Sequence, residues 1–174
     1  EARDATPEQL AVRTINAGLY ALPAREVFAR LDELGTDNAQ GELYLTVAVT
    51  AIAQAEGGVA LVHLDDAQEA LGVNTRVELA QAHRLLAERK LNELMLAGVT
   101  VLEPHRTRID PDTTIGPDTV IHPDVSILGQ CTVGAGCVLH QGAWLRDTTV
   151  ADGAGIEPYS GVVAATVERD WRVG

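Results

Sequence analysis

From Ile115 to Leu145 an aliphatic side chain returns at every sixth residue: 115, 121, 127, 133, 139 and 145. A helix repeats its buried face at about 3.6 residues and a strand at two, so neither accounts for this spacing. A left-handed parallel β-helix does. Its chain turns a corner after each hexapeptide, and three hexapeptides close one triangular coil. The position four after each aliphatic residue also faces the narrow interior and has to be compact. Thr113, Thr119, Val125, Cys131, Cys137, Ala143, Ala154 and Ser160 occupy those places. Beyond Leu145 the step shortens to Val150, then runs on through Ile156, Val162, Val167 and Val173. The pattern predicts four coils, 109/115/121, 127/133/139, 145/150/156 and 162/167/173, with glycines such as Gly116, Gly134 and Gly142 at the corners.

The first hundred residues follow other periods. Thr6-Pro7-Glu8-Gln9 carries a threonine N-cap, proline at the first helical position and glutamine three after the cap, which predicts a short helix. Alternating Ile15, Ala17, Leu19 and Ala21 predict a strand over 13–22. Val27, Phe28, Leu31 and Leu34 predict a helix ending at Gly35, and 43–56 reads as a second helix stopped by Gly57 and Gly58. VALVHL, 59–64, reads as a buried strand. Strand, helix, helix, strand belongs to an α/β layer with too few strands to complete a sheet. Thr75 and Glu78 form a capping box that opens a helix over 76–97, with Leu79, Leu85, Leu86, Leu91, Leu94 and Met95 as its apolar residues and Gly98 at its end. Such a helix spans roughly 30 Å and can act as a strut. The expected organisation is an α/β part over 1–74, a connecting helix and strand over 75–104, and the β-helix over 105–174.

Charge narrows the partners. The 174 residues carry 25 acidic and 13 basic side chains, a formal charge of -12. No basic cluster could neutralise a row of phosphates, which argues against nucleic acid and against an anionic membrane surface. No apolar run approaches the length of a membrane span, and no leader is visible. Cys131 and Cys137 are the two cysteines; they read as buried thiols compatible with a reducing, cytoplasmic setting. His122 and His140 each follow an inward residue one coil apart, so their rings are expected to stack outside about 5 Å apart. Catalytic zinc takes three protein ligands. His105 precedes the regular coils, and His63 and His83 lie farther upstream, so the pair reads as a histidine ladder.

The stretches EARDATPEQ, INAGLY, LGTDNAQGELYLT, GVNTRVELA, LMLAGVTVLEP and IGPDTVIHP together resemble the bacterial family of bifunctional N-acetylglucosamine-1-phosphate uridyltransferases / glucosamine-1-phosphate acetyltransferases. The resemblance covers the middle of such a protein. It implies a role in making UDP-N-acetylglucosamine for peptidoglycan and outer-membrane lipid, a homotrimer assembled through the β-helix, Mg²⁺ as cofactor and acetyl-CoA as co-substrate. UTP, N-acetylglucosamine 1-phosphate and glucosamine 1-phosphate are the implied small-molecule partners.

By the same resemblance, Glu1 falls on a glutamate that holds sugar hydroxyls and Asn16 on an asparagine that contacts the bound sugar. Tyr44 and Thr46 fall beside the sugar phosphate, and Asn74 on an asparagine that ligates the magnesium. One departure is Val47, where the family usually has aspartate. The triphosphate loop, the magnesium aspartate, the catalytic histidine and the acetyl-CoA contacts have no counterpart in these 174 residues. No catalytic residue is therefore assigned, and the 174-residue chain alone is expected to be inactive. The alternative reading is a stand-alone, non-catalytic β-helix oligomerisation module.

Overall fold

A computed structural model describes residues 5–31, 34–36, 41–55 and 58–174. The chain divides into two compact units, Glu1–Leu71 and Gly72–Gly174.

In the first unit, helix α1 (Pro7–Leu10) is a single turn held by its cap. The Thr6 hydroxyl accepts the Gln9 N–H at 3.3 Å, and the Gln9 side-chain oxygen accepts the Thr6 N–H at 2.9 Å. Helix α2 (Ala24–Leu31) follows Pro23 and packs on α3 (Leu45–Ala55). Ala48 and Ile52, one turn apart on α3, are the residues of this unit that are buried among those described. Gly57, expected to stop this helix, lies outside the described residues.

The strands expected over 13–22 and 59–64 do not form. Both segments are irregular, and Ile15, Leu19, Leu61 and Val62 are exposed. Neither an alternating segment nor an apolar run becomes a strand unless a neighbour completes the ladder. Without one, the backbone groups are left to water and the extended segment has nothing to hold it.

The second unit opens with α4 (Arg76–Leu96). The Thr75 hydroxyl accepts the Glu78 N–H at 3.2 Å, and Glu78 Oε2 accepts the N–H groups of Asn74 and Thr75 at 2.7 Å each. Only the last turns of α4 are buried. Val77, Leu79 and Leu86 are exposed, whereas Leu91 and Leu94 enter the core beside Val99, Val101 and Ile109. Gly98, at φ +96°, then turns the chain back toward the coils, a backbone conformation that disfavours any side chain.

From there the chain winds into a parallel β-helix with three sheets. One sheet stacks Val101, Ile121, Leu139, Ile156 and Val173. The second stacks Ile109, Ile127, Leu145 and Val162. The third stacks Ile115, Val133, Val150 and Val167. These columns point inward and form one continuous core. Each fully buried Ile or Leu in it contributes about 1.5–3 kcal/mol. The four coils follow the expected grouping, and Val101 adds a fifth rung to the first sheet. Between Val101 and Ile109 the chain inserts a 3₁₀ turn, Pro104–Arg106, which breaks the spacing of six and conceals that rung in the sequence.

The compact inward positions are filled as expected by Thr113, Thr119, Val125, Cys131, Cys137, Ala143 and Ala154, all buried; Ser160 is partly exposed. Thr148 is buried as well, three residues after Leu145, because the step to Val150 is short by one. Both cysteines are free and buried, and burial pushes the Cys137 thiol up from its ordinary value.

Ion pairs tie successive rungs on the outside. Arg106 grips Asp124 with two hydrogen bonds, Nε to Oδ1 at 3.0 Å and Nη2 to Oδ2 at 2.5 Å. That contact, followed by one from Gln141, holds the Asp124 carboxyl below the usual range. Asp152 is lowered first by the Ala135 N–H it accepts at 3.0 Å, then by the charge of Arg169. Both carboxylates are exposed enough that solvent screens most of this gain.

Candidate functional site

Asn16, Tyr44 and Thr46 line one concavity of about 270 Å³ in the first unit, together with Tyr20, Leu43 and Leu45. Two local structures place them. Asn16 shapes a turn: its side-chain oxygen accepts the Gly18 N–H at 2.9 Å, and Gly18 takes φ +74°. The Asn16 amide nitrogen donates to the Tyr20 hydroxyl. On the opposite wall, Tyr44 immediately precedes α3 and its carbonyl accepts the Val47 N–H at 3.0 Å, starting the helix. Thr46 sits in the first turn, with its carbonyl taking the Thr50 hydroxyl at 2.9 Å.

The lining therefore combines an amide, two phenols and a hydroxyl with the aliphatic side chains of Leu43 and Leu45. Such a set reads donors and acceptors on a small polar ligand while apolar carbons cover its faces. The first turn of α3 holds no acidic residue to offset the positive end of the helix dipole. Val47, where the resembled family has aspartate, lies in that turn and is exposed.

Sequence reading missed three of the lining residues, Tyr20, Leu43 and Leu45. Residues 16, 18 and 20 would share one face of an extended segment, so the pairing with Asn16 was present in the spacing.

Of the remaining expected residues, Glu1 lies outside the described residues. Asn74 belongs to the second unit, directly before the α4 cap, where Glu78 occupies its backbone N–H. His122 and His140 stack on the outside of the coils with ring centroids 5.1 Å apart and planes tilted by 36°. Among the described residues no three His, Cys, Asp or Glu side chains converge to hold a metal ion. No helix among them is long and apolar enough to cross a membrane.

Three sheets wound from hexapeptides define a hexapeptide-repeat protein, and residues 112–147 match the family described as bacterial transferase hexapeptide (six repeats). The curated relatives carry the likeness over the rest of the chain. The bifunctional protein GlmU of Syntrophotalea carbinolica is 42% identical over 160 residues, covering 92% of this chain and 34% of that protein. That of Mycolicibacterium vanbaalenii is 45% identical over 157 residues, 90% of this chain and 32% of its own length. That of Trichlorobacter lovleyi is 38% identical over all 174 residues and 38% of its own length. The chain carries a GlmU-family hexapeptide-repeat domain. It spans about a third of the length of the relatives it matches.

Proposed function

We propose that the protein is a bifunctional enzyme of UDP-N-acetylglucosamine synthesis, and that this chain supplies part of its sugar pocket and several coils of its acetyltransferase β-helix. The observation that carries this reading is the common pocket of Asn16, Tyr44 and Thr46 in a chain 38–45% identical to bifunctional relatives. In the proposed sequence, glucosamine 1-phosphate is first acetylated from acetyl-CoA. A phosphate oxygen of the product then attacks the α-phosphorus of UTP, forming the new P–O bond as pyrophosphate leaves.

The residues of this chain bind and orient. Asn16 offers its amide to the sugar's acetamido or hydroxyl groups, steadied by Tyr20. Tyr44 and Thr46 offer hydroxyls toward the sugar phosphate, and the first turn of α3, which holds no acidic residue, favours that anion. Glu1 is proposed to hold sugar hydroxyls.

Mg²⁺ neutralises charge on the transferring phosphoryl group when bound. The Asn74 amide oxygen suits one place in its octahedral oxygen shell. One neutral oxygen does not make a magnesium site, so the described residues do not hold the ion by themselves.

A homotrimer is proposed through the β-helix. One outer column carries only Thr114, Thr132, Thr149 and Thr166, a low-relief strip that another copy can approach closely.

The test pairs two assays on the full-length protein. One follows pyrophosphate release from UTP and N-acetylglucosamine 1-phosphate, and the other CoA release from acetyl-CoA and glucosamine 1-phosphate. Both are expected to turn over, and the 174-residue chain alone to do neither. Absence of both activities in the full-length protein would leave the oligomerisation module as the better reading.

A further inference from the structure

We propose that His122 and His140 form an exchangeable transition-metal site on the outer wall of the β-helix, bridging two adjacent coils. The two residues follow Ile121 and Leu139, which are paired in register in one sheet. Their backbones are locked there: the His122 N–H donates to the Leu139 carbonyl and the His140 N–H to the Ile156 carbonyl, each at 2.9 Å. Both side chains are half-buried, so their orientation is restricted while an open side still faces water.

The geometry suits one ion held by two imidazoles. At metal–nitrogen distances of about 2.0–2.1 Å, two imidazoles bound cis to a tetrahedral ion set their ring centres roughly 5 Å apart. The observed separation is 5.1 Å. Two stacked rings converge on one ion only when their planes are inclined to each other, and rotation about χ2, the soft terminal torsion of histidine, opens the 36° tilt further. Little ordering remains to be done on binding, because the sheet already fixes both Cα positions.

The next position in the same outer column is Glu157, since Ile156 pairs with Leu139. Its carboxylate is engaged with Arg172 at 3.4 Å, so it supplies neither a ligand nor a net charge. With no third side chain converging, the other coordination places go to water. That separates this site from a structural zinc, which takes four protein ligands, and from a catalytic one, which takes three. Imidazole nitrogen selects the borderline ions, with Cu²⁺ bound more tightly than Ni²⁺ or Zn²⁺.

The experiment titrates tag-free protein with Cu²⁺, Ni²⁺ and Zn²⁺ by calorimetry, and records the electron paramagnetic resonance of the copper form. One Cu²⁺ per chain is expected, with hyperfine structure from two imidazole nitrogens. Melting temperature should rise in the metal-loaded form, because the ion links two coils and binds the folded state alone. His122→Ala and His140→Ala should each weaken binding at least about tenfold, since each leaves a single ligand. His83→Ala and His105→Ala should leave it unchanged. Retention of the copper signal in the double variant His122→Ala/His140→Ala overturns the proposal. So does a wild-type spectrum with one nitrogen ligand, or no uptake of any of the three ions. The spectrum of the unmutated protein keeps the test independent of how well the variants fold.

Discussion

The Thr119 hydroxyl accepts the backbone N–H of Cys137, one coil farther on, at 3.1 Å, and donates to the Gly134 carbonyl at 2.8 Å. An inward threonine is thus a tie between rungs rather than a stray polar group. Thr113, in another column, is equally buried, but its hydroxyl has no partner. The two should respond oppositely to the same substitution. Thr119→Val leaves a buried N–H unmade and should cost about 1–3 kcal/mol. Thr113→Val removes an unsatisfied hydroxyl at nearly constant volume and should leave stability unchanged or raised. Urea unfolding of both variants, read as a shift in midpoint, checks the pair.

Acid should loosen the start of α4. The Glu78 carboxylate is lowered chiefly by the Asn74 N–H, then by the N–H and hydroxyl of Thr75. A folded value below the unfolded one means that the stabilisation is complete above the ordinary carboxylate range. It is lost as pH falls through the lowered folded value. Chemical shifts of residues 75–79 should therefore move toward coil values in that acidic window. Glu78→Gln should keep a weaker capping box and lose that pH dependence. Shifts that move identically in the variant would assign the transition to another group.

Gly116→Ala should destabilise the β-helix although the backbone there suits any residue. A Cβ would meet the Ala135 nitrogen at 2.6 Å and the Gly134 carbonyl carbon at 2.7 Å. Those atoms belong to the backbone of the next coil and cannot swing aside. A loss of about 1–3 kcal/mol is expected, at the upper end, seen as a lower melting temperature. An unchanged melt would show that the rungs can spread at this corner.

In the full-length protein, Asn16→Asp separates two jobs of one side chain. The carboxylate still accepts the Gly18 N–H and keeps the turn, but the amide donor is gone. The KM for N-acetylglucosamine 1-phosphate should rise, with a loss of about 1–3 kcal/mol in kcat/KM, and acetyl transfer should be unaffected. Tyr20→Phe, which removes only the steadying hydroxyl, should have a smaller effect in the same direction. Equal loss of both half-reactions would point to folding damage.

The β-helix was legible because its period is a property of the chain itself: each hexapeptide repeats Ile, Val or Leu inward whatever surrounds it. Legibility failed where one residue was dropped or several added, at Thr148 and at the Val101 rung. The segments 13–22 and 59–64 were misread for a different reason. Alternation over 13–22 and the apolar run over 59–64 describe what a neighbour would bury, and nothing in Ile15 or Leu61 reports whether that neighbour is there. Asn16 was singled out by resemblance, yet its turn and its bond to Tyr20 depend on Gly18 adopting positive φ. On α4, Leu79 and Leu86 have the same chemistry as Leu91 and Leu94 and fit the same helical pattern. Only contact with the coils distinguishes the buried pair from the exposed one.

The position of Leu91 and Leu94 has a further effect. A stack of parallel rungs is an open template, since each terminal strand presents unpaired N–H and C=O groups at the spacing of a cross-β fibril. The last turns of α4 lie against the strands carrying Val101 and Ile109 and bury the apolar end of the stack. They act as a stopper against head-to-tail polymerisation at that end. Replacing Leu91 and Leu94 with polar residues would uncover the same surface that amyloid growth uses, making the end of this helix a guard on solubility.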